Sequence, residues 1–530
     1  MEAPLPPDNS ASHEHQDSRT FPWYKDRALL LLLVLAFAKL MIHLVANATV
    51  AYGYFRDELY YVACANHPAL GYVDQPPFSI FLLGAWKSLF GVSLFSLHFP
   101  PALAGAATVF LAGLIARELG GGLVAQGMAS LVTLVSPVYF SIDSSYSMNS
   151  LDVLVWTLAA YLLVRIIKTE DRRLWLALGL LLGIGLLNKI SVFWLGAGIA
   201  AGMVFSPLRR WLTTPWPWTA GAIALILFSP FVIWNMQHDF AHLEFIRNAS
   251  LHKYGGLTPG GFLADQFMQN HPLAAPLWIL GLSFYFLPGQ RQFRCLGVIY
   301  ATTLAILIVN GHSKAEYLSP AYAMLFAGGS VLFARLTERH GARWLRPSYG
   351  TLLLAGGLAT APLATPLLPV ETYISYAAAL GTKPGTSEGK TLGRLPQFFA
   401  DMFGWKEKAE AVASVYSRLS PGEKNTCAVY AQNYGECAAI DFFGKKYGLP
   451  PAMGRHNNYW IWGPHGSTGD VVIVLGKSAE DERRSFDSVA VADTVRCAYC
   501  MPYENNLLVM VCRGLKEPID TLWPKLKLFI

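Results

Sequence analysis

The sequence predicts an α-helical polytopic membrane protein of about eleven transmembrane helices, ending in a C-terminal soluble α/β domain. Three observations carry that prediction. Of the 530 residues, 53% are hydrophobic and only 14% are charged, whereas soluble domains carry about a quarter charged residues. Apolar segments close to the ~20 residues that cross a bilayer recur from residue 28 to about 370. Beyond about residue 372, short β-rich runs alternate with helix-like stretches.

Residues 1–27 are polar and rich in Pro and Ser, and read as a disordered cytoplasmic tail with no cleavable signal peptide. Residues 28–370 form the membrane domain. Its expected spans are 28–48, 98–117, 122–140, 152–168, 173–188, 190–207, 217–235, 268–288, 295–311, 317–336 and 348–369. Basic residues punctuate these spans on alternate sides. Lys25 and Arg27 precede the first, Arg117 closes the second, and Arg165, Lys168, Arg172 and Arg173 surround the turn after the fourth. Arg209 and Arg210 follow the sixth, and Arg291 and Arg294 the eighth. The opposite loops hold far fewer. The positive-inside rule then puts the N-terminus in the cytoplasm and, after an odd number of spans, residues 371–530 on the outer face. The run "PFSIFLLGAWKSLFGVSLF" (77–95) is short for a span and would reverse this alternation. It is expected as an interfacial helix on the outer face, with Trp86 and Lys87 at headgroup level. The fifth span is short and Gly-rich, which brings Lys189 up just below the outer surface.

The C-terminal part begins with a polar linker, "ETYISYAAALGTKPGTSEGKTLGR". Strand-like runs ("TCAVYAQ", "DVVIVLG", "NLLVMVC") and a helix-like stretch ("GECAAIDFFGKKYG") follow, the alternation of a small α/β domain. Five of the seven cysteines, Cys427, Cys437, Cys497, Cys500 and Cys512, lie here. "CAYC" has the spacing of a metal, redox or disulfide pair, and one or two structural disulfides and free thiols are both open readings. Basic and acidic residues balance in this part, so no nucleic-acid partner is expected.

The unusual polar residues fall on the outer side. Arg56, Asp57, Glu58 and Asp74 lie in the first outer loop, Asp143 and Asp152 in the second, and Lys189 in the third. His238, His242 and Arg247 lie in the fourth, and His312, Lys314, Glu316 and Tyr317 in the fifth. Any one of these alone reads as a solvated loop residue. Together they could converge on one cavity that opens at the outer leaflet. Carboxylates there can act as general base or bind a divalent cation, and lysine, arginine and tyrosine can hold a departing phosphate. A divalent metal is therefore allowed, and no ligand set for one is evident. A base beside a phosphate clamp suits group transfer from a lipid phosphate. An ion-coupled lipid or glycan transporter is the alternative, although such proteins place polar sites near mid-membrane, often with inverted repeats. Lys39 and His43, one turn apart in the first span, read as a packed, bundle-facing pair.

The stretch "YFRDELYYVACANHPALGYVDQPPF" (54–78) resembles the first outer loop of bacterial members of glycosyltransferase family 39. These are polytopic enzymes of the GT-C architecture, related to protein O-mannosyltransferases and the lipid A aminoarabinose transferase. "SMNSLDVLVWTLAAYLL", "GLLLGIGLLNKISVFWL", "SPFVIWNMQHDF" and "KAEYLSPAYAML" match in the same order, so the resemblance spans roughly residues 28–340. The resemblance implies that Asp57 is the catalytic base on the acceptor and that its neighbour Glu58 helps to position the acceptor. Asp74 and Gln75 stand where the aminoarabinose transferase type has Glu-Lys before Pro-Pro, its lysine contacting the lipid phosphate. Here that residue is Gln75, and Lys189 is the best replacement, with Lys314 and Tyr317 as partners. Asp152 matches the acidic residue of the second outer loop, a donor-sugar or supporting contact. Arg56 and Tyr61, flanking the acidic pair, complete the candidate substrate-binding set.

The implied activity is inverting transfer of a sugar from a polyprenyl-phosphate donor to a lipid, glycan or protein acceptor, at the periplasmic face of a bacterial inner membrane. The energy comes from the activated lipid, so no nucleotide is needed. In agreement, no phosphate-binding glycine fingerprint sits in a strand–helix setting.

Overall fold

The computed structural model describes residues 26–530 apart from 51, 254, 255, 257 and 387. The expected tail, 1–27, lies outside the described residues except for Asp26 and Arg27. Asp26 caps the first helix: its Oδ1 accepts from the backbone N–H of Ala28 and Leu29, and Oδ2 pairs with Arg117 at 2.7 Å.

The membrane part runs through α1 (Arg27–Thr49), α2 (Arg56–Asn66), α3 (Phe78–Phe90), α4 (Leu94–Glu118), α5 (Leu123–Val135), α6 (Pro137–Ile142), α7 (Met148–Thr169) and α8 (Arg173–Asn188). It continues through α9 (Val192–Val204), α10 (Trp216–Gln237), α11 (Ala241–His252), α12 (Pro259–Gln269), α13 (Ala275–Phe286), α14 (Arg294–Asn310), α15 (Tyr322–Arg339) and α16 (Leu345–Ala364). Among the described residues, six helices are long and apolar enough to cross a membrane unaided. A seventh is counted if α9 and the 3₁₀ turn Pro207–Thr213, bent by 100°, form one span. The chain is thus a multi-pass membrane protein. Other expected spans map onto shorter or broken apolar helices, and prolines interrupt two of these hydrophobic runs. Pro137 separates α5 from α6, and His271-Pro272 separates α12 from α13.

The expected interfacial helix is α3, and it ends at Gly91 with φ of 69°. The second span starts earlier than the sequence suggests, at Leu94 rather than residue 98. The Ser93 hydroxyl accepts from the backbone N–H of Ser96 and sets that start.

Helix α1 packs on α4, α8 on α10, α9 on α14 and α13 on α15. The last contact is backbone on backbone. A Cβ on Gly281 or Gly329 would collide with the carbonyls of Leu325 and Leu277. Small residues at such crossings let membrane helices approach closely. Lys39 and His43 are both buried, but Lys39 is tied elsewhere. Its Nζ lies 3.0 Å from Asp143 Oδ2 and donates to the Tyr139 carbonyl. A buried charge needs such a partner, so Asp143 serves the bundle.

The C-terminal α/β domain holds one five-stranded sheet, β1 (Cys427–Ala431), β2 (Ala452–Gly454), β3 (Val471–Gly476), β4 (Phe486–Val495) and β5 (Leu507–Leu515), in the order β2-β1-β3-β5-β4. β1 runs parallel to β2 and β3, with Val429 opposite Ala452 and Ile473, while β5 is antiparallel to β3 and β4. The whole of β3 is buried, as its unbroken apolar run requires. All seven cysteines are free thiols in this structure. Cys497 and Cys500 face one another, the Cys500 N–H lying 3.2 Å from Cys497 Sγ. The start of the expected linker is a helix, Val370–Ala379. Helix α2 packs against the helix Tyr434–Phe443, joining the two parts.

Replacing Gly329 with Val is expected to destabilise the bundle by roughly 3 kcal/mol or more, because backbone leaves no room to relax. A thermal-melting series followed by size-exclusion chromatography checks this, and a melting point equal to wild type would contradict it.

Candidate active site

At the junction of the two parts lies a cavity of about 540 Å³. It is built from helix ends and the segments between helices. Helix α2 brings Arg56, Asp57 and Tyr61, and the loop before α3 brings Asp74 and Gln75. The α8–α9 connection brings Lys189, α11 brings His242, and the segment after α14 brings Lys314 and Tyr317. The sequence expectation thus converges for eight residues: Arg56, Asp57, Tyr61, Asp74, Gln75, Lys189, Lys314 and Tyr317 all line one space.

Glu58 and Asp152 do not. Glu58 closes the start of α2 as a capping box, its Oε2 accepting from the Phe55 N–H at 2.9 Å. Its Oε1 accepts from the Tyr146 N–H at 2.7 Å, and His98 Nε2 sits 2.9 Å away. With no exposed surface, this carboxylate aligns α2 and the α6–α7 segment. Asp152 accepts from the Ser191 hydroxyl through both oxygens, at 2.7 and 2.8 Å, and lies 3.6 Å from Lys189 Nζ. It holds Lys189 from behind. Lys189 donates to Asn149 Oδ1 at 2.8 Å and lies over the Tyr317 ring.

Asp57 is accessible, as is Glu316 elsewhere on the lining. The Asp57 side chain is 37% exposed, and its Oδ1 accepts from the Tyr434 hydroxyl at 2.8 Å and from Arg56 Nε at 3.3 Å. Among the described residues, that leaves Oδ2 as its open acceptor. Asp74 differs. Burial pushes its carboxyl up to about 7, even though the Tyr60 hydroxyl donates to it at 3.0 Å. The two carboxylates therefore hold distinct environments in one cavity, a pattern that separates roles at functional sites. Gln75 is 1% exposed, and neither its amide N nor its O has a hydrogen-bond partner among the described residues. A buried amide without partners is costly unless a ligand or water completes it. His242 donates from Nδ1 to the Val73 carbonyl, its Nε2 has no partner among the described residues, and burial lowers its basicity to about 4.

Several residues that sequence reasoning did not single out complete the site. Arg56 donates to the Tyr503 hydroxyl and lies 3.5 Å from Asp401 and 3.7 Å from Glu388. Burial pushes Glu388 up, but the charges of Arg56, Lys253 and Lys314 outweigh it and hold the carboxyl at about 2. Burial pushes Asp401 up to about 7 against the pull of Arg56. Lys253 also lines the cavity, 3.8 Å from Glu388. Tyr434 opens the helix Tyr434–Phe443 of the tail domain. Glu388 stood in a stretch whose composition is that of any solvated linker. Among the described residues, no three His, Cys, Asp or Glu side chains are grouped so as to hold a metal ion.

Residues 74–234 match the family described as dolichyl-phosphate-mannose-protein mannosyltransferase. The fold is similar to ArnT from Cupriavidus metallidurans bound to undecaprenyl phosphate, with a TM-score of 0.59 and 12% identity, over 91% of this chain and 97% of that one. The apo state of the same protein matches with a TM-score of 0.59 and 13% identity, over 90% of this chain and 97% of that one. No curated protein sequence matches the chain. The chain thus has a fold similar to that of ArnT and, over less than a third of its length, a sequence similar to the protein mannosyltransferase family.

Two outcomes follow from the charge arrangement. Arg56→Ala leaves Asp401 without its paired cation and Glu388 with only its lysines, so it is expected to destabilise by about 3–5 kcal/mol, well beyond the effect of Asp57→Asn. Melting of the purified variants compares the two. Asp74 binds its proton more tightly folded than unfolded, so its contribution to stability is full below pH 3.8 and is lost as pH rises through about 7. Asp74→Asn should therefore melt progressively higher, relative to wild type, between pH 4 and 7. A constant offset across that range would contradict the burial argument.

Proposed function

We propose that the cavity transfers a sugar, with inversion, from a polyprenyl-phosphate donor to an acceptor at the periplasmic face of the bacterial inner membrane. The observation that carries this reading is the convergence of an accessible carboxylate held in place at the start of α2, Asp57, with three lysines, Lys189, Lys253 and Lys314. The two halves of the reaction need those two kinds of group.

Asp57, through Oδ2, removes a proton from the acceptor nucleophile as it attacks the anomeric carbon. The new bond forms on one face of the sugar while the bond to the phosphate oxygen breaks on the other. The polyprenyl phosphate departs with the electron pair, and the lysines stabilise its charge. Gln75 offers an unpartnered amide at the same place, suited to a sugar hydroxyl. Glu58 and Asp152 act as positioning residues, Glu58 through the start of α2 and Asp152 through Lys189. The ArnT structure bound to undecaprenyl phosphate supports the donor class, and the protein-mannosyltransferase family supports a sugar as the group moved. Lipid, glycan and protein acceptors all satisfy this chemistry.

The topology belongs to the same proposal. Residues 1–27 form a cytoplasmic tail, 28–370 the catalytic membrane domain, and 371–530 a periplasmic domain that closes the cavity. A transporter would place its polar groups near mid-membrane, whereas these residues stand at helix ends and in the segments between helices.

General-base removal typically reduces rate by 10²–10⁴-fold. Cells making Asp57→Asn are therefore expected to accumulate a polyprenyl-phosphate sugar that wild-type cells consume, seen by mass spectrometry of membrane lipids, and its mass identifies the sugar. An unchanged lipid-linked sugar pool would count against the transferase reading.

A further inference from the structure

A second cavity, of about 570 Å³, lies wholly within the C-terminal domain. Its position follows from the sheet topology. From β1 the chain passes through the helix Tyr434–Phe443 to β2 on one side. It then returns through the helix Asn458–Trp462 to β3 on the other. The direction of winding therefore reverses between β1 and β3. In open α/β sheets, ligands bind outside the carboxyl ends of the strands at such a reversal. Here the carboxyl ends of all three parallel strands deliver polar side chains to the cavity: Gln432 and Asn433 after β1, Arg455 after β2, and Lys477 and Ser478 after β3.

The cavity has two unlike halves. At the strand ends, Arg455 and Lys477 can donate and Asp481 can accept, beside the amide of Gln432. The buried Nε of Arg455 has no hydrogen-bond partner among the described residues. The other half is an apolar floor made by Met453, Val472, Val474 and Trp523, all buried. A bare phosphate or sulfate would leave that floor unused and would face Asp481 and Glu482. A plain hydrocarbon would leave the buried Nε of Arg455 unsatisfied. A polyhydroxylated group carrying an apolar substituent satisfies both halves.

We propose that this cavity binds a glycoside with an apolar aglycone, the sugar ring against the strand ends and the aglycone on the floor. The site is separate from the catalytic cavity but shares a wall with it. Tyr503 lines the second cavity and accepts from Arg56, which lines the first. Occupancy is thereby placed one residue from the Arg56–Asp57 pair. The proposal does not depend on which sugar or acceptor the catalytic cavity takes.

The test uses the full chain in lipid nanodiscs with a diazirine-bearing octyl β-glucoside, followed by peptide mapping. Labelling of the peptides that hold Met453 and Trp523 is expected, with competition by octyl glucoside but not by methyl glucoside or octyl sulfate. Loss of one charge-assisted hydrogen bond should weaken labelling about tenfold in Arg455→Ala. Lys477→Ala, on the exposed rim, gives a second variant with the same expectation should Arg455→Ala fail to fold. Labelling confined to the membrane helices, labelling unchanged in the folded variants, or equal competition by octyl sulfate would each overturn the assignment.

Discussion

The site depends on how the charge of one buried residue is distributed. Arg56 is 11% exposed and faces three carboxylates, those of Asp57, Asp401 and Glu388. A guanidinium at that depth is tolerable only when paired, and removing its partners or removing it costs several kcal/mol. Its planar fork reaches all three along different N–H directions while also donating to Tyr503. Three chain segments far apart in sequence, the start of α2, the stretch around residues 388–401 and the tail domain, are drawn together at this one point. The cavity is the space left beside it.

This arrangement explains why Asp57 is held without being consumed. Arg56 and Tyr434 both approach Oδ1, so the side chain has a defined orientation and an open second oxygen. A base fixed in this way meets the geometric demand on proton transfer before any question of its acidity arises. On the other side of the cavity, Asp152 and Asn149 orient Lys189, which keeps a cation facing the cavity with its side chain 13% exposed. Pre-oriented charge needs no rearrangement as a leaving group departs. In the proposed reaction Asp57 and Lys189 are held by different partners, while Glu388 links Arg56 to Lys253 across the cavity.

Much of the fold was legible because bilayer crossing and burial impose coarse patterns. Hydropathy located the apolar helices, and the continuous runs of β1, β3 and β5 announced buried strands. β4 was missed because one side is exposed and its sequence, "FDSVAVADTV", mixes polar and apolar residues as an edge strand does. The breaks at Pro137 and Pro272 lay inside runs that hydropathy alone reads as continuous. At the site, Asp57, Lys189 and Lys314 stood out as charges beside apolar helices. Glu388, Asp401, Lys253 and Tyr434 did not, since nothing local distinguishes a linker acid or a tail tyrosine that reaches a distant cavity from one that meets water. Glu58 and Asp152 show the converse. Their sequence setting is that of reactive groups, and only their partners place them behind the cavity rather than in it.

The central claim is that Asp57 serves the acceptor while Lys189, Lys253 and Lys314 serve the departing lipid phosphate. Binding of a polyprenyl phosphate to purified protein in nanodiscs separates the two most directly. Asp57→Asn should bind it as tightly as wild type while losing transfer, and Lys189→Ala should bind it about tenfold more weakly or worse, the loss of a charge-assisted contact. Equal weakening of binding in both variants, or unchanged binding in Lys189→Ala, would contradict that division of labour.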